Sequence, residues 1–182
     1  MRKIVAGLFA SLDGVVEAPD QWHFPYYNDE MNDAVAAQIA AADAMLLGRH
    51  TYQEFASYWP QQGNDVPFAE HMNSTPKFVV STTLDALDWQ NSTLISGDVA
   101  AEIRKLKQQP GKNISITGSA TLVRSLLRDG LLDELHLLVH PIVVGSGGRL
   151  FEDGTGRQPL KLVDSTTFST GVLSLIYEPA GS

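Results

Sequence analysis

The segment AMLLGRHTY at residues 44–52 constrains the fold more than any other part of this chain. An apolar run stops at a glycine, and polar residues and a helical pattern follow, which is typical of a buried strand leading directly into a helix. The first N–H groups of such a helix have no partner within it, and the helix dipole places partial positive charge there. Because Gly48 lets a ligand approach the backbone and Arg49 adds a cation, we predict an anion-binding turn at residues 48–51.

A second segment, ISITGSATL at residues 114–122, repeats the same pattern. Each segment taken alone also fits an ordinary strand-to-helix turn, with Arg49 in solvent and Ser119 as a helix cap. Two such turns in one small protein predict a ligand with two or more phosphates, which indicates a nucleotide cofactor.

Composition narrows the class of protein. The chain has 182 residues, the usual size of one domain, and we expect a single domain over residues 1–182. A net charge of -8 argues against nucleic acid as a partner, since phosphate backbones require a basic surface. The absence of cysteine excludes disulfides and thiolate zinc sites. No apolar run has membrane-spanning length and no signal peptide is evident, so we expect no membrane partner and a cytoplasmic location.

Strand and helix patterns alternate along the chain. Strands are predicted at residues 3–10, 44–47, 77–81, 93–96, 113–117, 135–140, 160–168 and 172–177. Helices are predicted at 29–42, 51–58, 98–108 and 119–128, and a polar loop at 61–76. This order predicts an α/β domain whose mostly parallel sheet is covered on both faces and ends in an antiparallel hairpin. Ligands of such sheets bind at the carboxyl ends of the strands, where both glycine turns lie.

Other candidate residues follow predicted strands. Asp13 comes directly after the first strand and is expected to reach the cleft, although it also fits a turn residue. The hydroxyl run at residues 81–83 can hold a phosphate or cap a loop. The glycine-rich loop at residues 145–148 lacks a following helix, so it fits a plain turn or a loop near a bound ring better than a dinucleotide fingerprint. His136 and His140 lie on a strand without a third ligand nearby, so no metal site is predicted.

These motifs, taken in order, resemble the dihydrofolate reductase superfamily. The chain is most similar to the reductase domain in the C-terminal half of the bifunctional riboflavin-biosynthesis deaminase-reductase. The segments that carry the resemblance are ASLDG (10–14), LLGRHTY (46–52), STTL (81–84), TGSATL (117–122), LLDEL (131–135) and HPIVVGSG (140–147). The resemblance implies a three-layer dihydrofolate reductase-like fold in a stand-alone protein that lacks the zinc-deaminase half.

The resemblance also implies NADPH as the cofactor. The nicotinamide would lie near the first strand, and the pyrophosphate and 2′-phosphate would contact the turns after later strands. The implied cofactor residues are Ala6, Gly7, Gly48, Arg49, His50, Thr51, Ser81, Thr82, Thr83, Gly118, Ser119, Ala120, Thr121 and Leu122. Asp13 is our candidate catalytic group, as an acid or as a residue that orients the substrate ring.

The function implied is hydride transfer from NADPH to a C=N or C=O group of a small heterocycle, pteridine-like or pyrimidine-like. Dihydrofolate reductases place an acid early in the first long helix, and the nearest candidates are Asp29, Glu30 and Asp33, none in a matching local motif. The substrate half therefore departs from that pattern. A non-catalytic nucleotide-binding module or sensor subunit is the alternative.

The resemblance implies a homodimer as well. The apolar segment at residues 135–144 is expected to supply the contact through an exposed strand edge.

Overall fold

One mixed β-sheet organises the protein, which is described here from a computed structural model covering residues 1–181. Within those residues eight strands are joined in the order β4-β3-β2-β5-β1-β6-β8-β7. The strands are β1 (Ile4–Ser11), β2 (Ala42–Gly48), β3 (Lys77–Val80), β4 (Ser92–Ile95), β5 (Asn113–Ile116), β6 (Glu134–His140), β7 (Leu160–Thr167) and β8 (Leu173–Pro179). Strands β1 to β6 pair in parallel, whereas β8 pairs antiparallel with both β6 and β7. The predicted mostly parallel sheet with a terminal antiparallel hairpin is confirmed.

Helices cover both faces of this sheet. They are α1 (Asp29–Ala40), α2 (Arg49–Tyr58), α3 (Ala69–Ser74), α4 (Val99–Gln108) and α5 (Ala120–Arg128). Alternate residues of each strand face opposite sides, so the strands contribute to two separate cores. Leu46 packs with α4 and α5, whereas its neighbours Met45 and Leu47 pack with α2 and α3. The sheet is therefore covered on both faces, as the alternation predicts, and this is the three-layer arrangement that the resemblance implies. No helix within residues 1–181 is both long and apolar enough to cross a membrane.

Local sequence explains where the principal helices begin. Asn28 caps α1, because its side-chain oxygen accepts a hydrogen bond from Met31 N at 3.0 Å. Asp98 caps α4 in the same way. Helix α5 presents an apolar stripe to the core, formed by Leu122, Val123, Leu126 and Leu127.

Two expectations about this architecture were wrong. The segment 61–76 is not entirely loop, because it contains the six-residue helix α3, whose Ala69 and Met72 are buried. The segment 135–140 is not a free edge, because β6 is hydrogen-bonded to β1 on one side and to β8 on the other. An edge of β6 is therefore not available for a dimer contact. The edge strand on that side of the sheet is β7, which exposes Leu162 and Val163.

Lys77 fixes α3 against the sheet although it has no exposed surface. Its ammonium donates hydrogen bonds to the carbonyl oxygens of Asn73 (2.9 Å) and Gln90 (3.0 Å) and lies 4.0 Å from the Trp89 ring centroid. Burial lowers the pKa of Lys77 to about 8. The folded state therefore binds fewer protons than the unfolded state between that value and the ordinary lysine pKa of 10.5.

We predict that the free energy of unfolding of the wild type rises with pH across this interval, relative to a Lys77→Met variant. The increase in the free energy of unfolding is at most about 3 kcal/mol, since each pKa unit corresponds to about 1.4 kcal/mol. Urea denaturation at both ends of the interval measures it. The exposed Lys161→Met change on β7 is the matched control and should follow the wild type. Parallel pH profiles for wild type and Lys77→Met would show that the Lys77 burial has no such effect.

Candidate active site

The two glycine turns lie side by side, because β2 and β5 are neighbouring parallel strands. Gly48 N donates a hydrogen bond to Gly118 O at 3.3 Å. A Cβ atom on Gly48 would lie 2.5 Å from Ser119 Oγ, and one on Gly118 would collide with Thr51 Oγ1. Glycine is required at both positions by this close approach, and the two turns form one continuous surface.

The two helix N-termini at this surface differ in their capping. Gly48 provides no side-chain cap for α2, whose first-turn residues Arg49 and His50 are exposed. In α5, Ser119 Oγ accepts from Leu122 N at 3.4 Å, which satisfies one of the free N–H groups. The peptide bond between Gly118 and Ser119 is cis. The first turn of α2 therefore keeps its N–H groups free of side-chain caps, with a cation beside them, which suits an anionic ligand.

A cavity of about 860 Å³ begins at these turns and continues over the sheet between α1 on one side and α2 and α3 on the other. Gly7 and Phe9 of β1 contribute to its floor, and Phe55 and Trp59 line it near α2. The volume is in the range typical of small-molecule sites. Of the sequence-predicted cofactor residues, those lining the cavity are Gly7, His50, Thr51, Gly118, Ser119, Ala120 and Thr121.

The remaining predicted cofactor residues lie around this cavity. Ala6 is fully buried and packs in the core on the α4–α5 side, and Leu122 is buried in the same core. Gly48 and Arg49 form the α2 turn itself. At the end of β3, Ser81 Oγ accepts hydrogen bonds from Thr83 N and Leu84 N, both at 3.1 Å. Ser81 therefore caps a loop, whereas Thr82 and Thr83 are exposed, and their contact with a phosphate stays a prediction.

Three hydrogen bonds hold the carboxylate of Asp13 in place. Its carboxylate accepts hydrogen bonds from Ser11 Oγ (2.5 Å), Val144 N (3.1 Å) and Gly145 N (2.9 Å). The Ser11 hydroxyl, followed by the two backbone N–H groups, lowers the pKa of Asp13 to about 2. A carboxylate in this state carries no proton to donate near neutral pH. The prediction that Asp13 is an acid conflicts with this environment, and among residues 1–181 the cavity lining does not include it.

The contacts of Asp13 join the loop after β1 to the loop after β6. Val16 N donates to Gly148 O at 2.9 Å, and Gly148 N donates to Glu17 Oε2 at 2.6 Å. Gly148 lines the cavity, so the glycine-rich loop at 145–148 is a border of the site. The physical effect of Asp13 is to hold that border in place.

The early-helix carboxylates also lie outside the described lining of the cavity. Glu30 accepts hydrogen bonds from Ser169 Oγ (2.7 Å) and Ser169 N (2.8 Å), and these bonds lower the pKa of Glu30. Asp29 and Asp33 are exposed. Helix α1 instead contributes Val35, Gln38 and Ile39 to the lining.

Several polar residues that line the cavity were not among the sequence-predicted site residues, and they include His23, Gln38 and His136. His23 is 7% exposed, stacks on Phe9 with ring centroids 4.8 Å apart, and its Nδ1 is buried without a hydrogen-bond partner. Burial and then the neighbouring His140 lower the pKa of His23. His23 lies in an aromatic-rich loop at residues 17–27. Trp22 packs edge-on against buried His140 at 5.1 Å, which makes part of this loop a packed cap.

Solved structures define the fold class first. The structure matches a protein from Shewanella sp. PV-4 described as a riboflavin biosynthesis protein, with a TM-score of 0.80, 20% identity and coverage of 98% of this chain and 99% of that one. It matches dihydrofolate reductase from Enterococcus faecalis, solved with NADP(H), with a TM-score of 0.61, 14% identity and coverage of 97% and 94%. The fold is that of the dihydrofolate reductase-like proteins.

Sequence comparisons then define the family. The RibD C-terminal domain matches residues 2–174, and the uncharacterized Bacillus subtilis (strain 168) protein YyaP is 33% identical over 97% of this chain and 94% of its own length. The chain belongs to the RibD C-terminal domain family. The structure also matches the diaminohydroxyphosphoribosylaminopyrimidine deaminase/5-amino-6-(5-phosphoribosylamino)uracil reductase of Thermotoga maritima, with a TM-score of 0.68 and 14% identity. The match covers 98% of this chain but only 57% of that longer protein.

We predict that Asp13→Asn loosens the loop border without removing the fold. An amide has one acceptor oxygen where the carboxylate has two, so the hydrogen bonds to Val144 N and Gly145 N cannot both be kept at their present strength. Hydrogen exchange of these two amides should become faster by about tenfold, which corresponds to roughly 1.4 kcal/mol of lost local stability. The exposed Asp33→Asn change is the control. Unchanged exchange at residues 144 and 145 would contradict the anchoring role.

Proposed function

We propose that this protein is an NADPH-dependent reductase that transfers a hydride to a C=N or C=O group of a small pteridine-like or pyrimidine-like heterocycle. Membership of the RibD C-terminal domain family supports an oxidoreductase. The observation that carries the proposal is the uncapped N-terminus of α2 beside the Gly118 turn, at the mouth of a cavity floored by β1.

The residues present fit a dinucleotide phosphate. The first turn of α2 offers backbone N–H groups and the Arg49 guanidinium to negative charge. Gly48 and Gly118 let the two turns pack together through Ser119 Oγ and Thr51 Oγ1, and Ser119, Ala120 and Thr121 border the same opening. NADPH would supply the hydride. The chain would bind it, hold the two rings in contact and exclude water from them.

The floor of the cavity suits a flat ring. At mid-strand the side-chain amide of Gln38 lies over Gly7, and Phe9 continues the floor toward the carboxyl edge of β1. Phe55 and Trp59 offer aromatic surface within the same cavity. A nicotinamide and a heterocycle stacked over β1 would therefore contact largely apolar surface with a few polar groups, as small-molecule sites do.

A second candidate function is a nucleotide-binding module without turnover. It is favoured by one observation: Asp13 is an anchored carboxylate of low pKa, and Asp29, Glu30 and Asp33 do not line the described cavity. The reductase would then have to obtain its proton from water or from a histidine of the cavity. The two candidates differ in turnover and share cofactor binding.

We predict that NADPH binds more tightly than NADH and that Arg49→Gln weakens NADPH binding by roughly three- to fivefold, the effect of one exposed charge contact. Quenching of intrinsic fluorescence during titration of each cofactor measures the dissociation constants. Arg104→Gln removes the same charge from the exposed side of α4 and is the control. Equal affinity for the two cofactors, or no binding of either, would overturn the cofactor assignment.

Turnover separates the two candidates. We expect loss of NADPH absorbance when the protein is mixed with a panel of oxidised pteridines and aminopyrimidines, at a rate above that without protein. Binding of NADPH with no oxidation by any member of the panel supports the non-catalytic module instead.

A further inference from the structure

A chain of four polar side chains leads from the surface to the floor of the cavity. Lys3 Nζ lies 2.7 Å from Glu134 Oε1, and Glu134 Oε2 lies 2.7 Å from His136 Nε2. His136 Nδ1 in turn lies 3.3 Å from Gln38 Nε2. Glu134 and His136 are two residues apart on β6, so both side chains point to the same face of the sheet, the one that carries α1. The four residues come from β6, α1 and the residue just before β1, and only the fold brings them together.

Glu134 determines which atoms donate and which accept in this series of four side chains. Burial acts to raise the pKa of Glu134, but hydrogen bonds from Lys3 and His136 together hold it below the ordinary value. An ionised carboxylate only accepts hydrogen bonds, so His136 Nε2 must carry a proton. The Gln38 atom that faces the other nitrogen, Nδ1, is Nε2, and because an amide NH₂ only donates, Nδ1 is the acceptor. The carbonyl oxygen of Gln38 is left for another partner.

That oxygen lies on the cavity floor. Gly7 and His136 are direct partners in the pairing of β1 with β6. A Cβ atom on Gly7 would collide with Gln38 Oε1, so the oxygen lies directly over the Gly7 backbone. Within residues 1–181 it accepts no hydrogen bond, and Gly7, Gln38 and His136 all line the cavity. A fixed acceptor without a partner therefore faces the space above β1.

We propose that Gln38 is a specificity-determining residue, whose Oε1 accepts a hydrogen bond from an amino or ring N–H group of the bound heterocycle. This inference rests on the proposed function, since it names the edge of the substrate that the same site selects. His136 is a positioning residue in it, because it holds the Gln38 amide with its oxygen toward the ligand. A ring that offers only acceptors at this edge would place a lone pair against Oε1 and be rejected.

The apolar neighbours strengthen this selection. Val35 and Ile39, one turn apart on α1, lie on either side of Gln38 in the cavity lining. Water is excluded more effectively beside such residues, so an unmet donor or acceptor on the ligand costs more than it would in solvent.

Two small probes of similar shape test the inference. 2-Aminopyrimidine offers an N–H donor, whereas 2-methylpyrimidine does not, and both are uncharged near neutral pH. Binding of each to the full-length protein is measured by ligand-observed NMR, with and without saturating NADPH. We expect the wild type to bind the amino probe about 3- to 10-fold more tightly, the net effect of one hydrogen bond in such a setting.

The variants test which group causes the difference. Gln38→Met keeps the length and removes the acceptor, so the ratio of the two affinities should fall to about one. His136→Phe frees the Gln38 amide to turn and should also reduce the ratio, whereas a general loosening of the cavity would weaken both probes together. Gln53→Met, on the exposed side of α2, is the matched control and should keep the wild-type ratio.

The outcomes separate this inference from the proposed function. An unchanged ratio in Gln38→Met, a wild type that does not distinguish the probes, or no binding of either probe would each overturn the role of Gln38. Failure of NADPH to bind the wild type would overturn the cofactor assignment instead, and the NADPH titration measures that independently of either probe.

Discussion

The contact between the β2–α2 and β5–α5 turns is the constraint on which the rest of the site depends. Two parallel strands that pair directly must end at the same edge, and their following helices must then begin close together. Here the approach is so close that a Cβ on Gly48 or Gly118 would meet the other turn. The result is a single surface with uncapped N–H groups and one cation, which is the physical basis for expecting a phosphate-bearing ligand.

The rest of the cavity follows from the same sheet. Strand β1 lies beside β5 and continues the floor inward from the two glycine turns, while α1 and α2 form the two walls. The loops at 13–17 and 145–148 close the border, with Asp13 as their common anchor. The two ends of the cavity therefore differ in chemistry. Its mouth suits anions, and its interior suits a flat ring with a few directional hydrogen bonds.

Much of this arrangement was predictable from local sequence, because apolar runs ending in glycine identify the parallel strands and the helices that follow. The helix α3 was missed, since a six-residue helix has too few turns for a periodic signal and is held by buried Met72 and by Lys77. The edge position assigned to β6 was wrong because strand order depends on long-range pairing. The local sequence of α1 is rich in alanine and contains no motif that identifies Gln38 as a site residue. The spacing of Glu134 and His136 on one strand face was a signal that could have been used.

The central claim is that one dinucleotide spans both turns, and a crystal structure of the protein with NADPH tests it most directly. We expect the pyrophosphate within hydrogen-bonding distance of backbone N–H groups in both 49–51 and 118–121, with the nicotinamide over β1 near Gly7. NADPH bound at only one of the two turns, or elsewhere on the molecule, would contradict it.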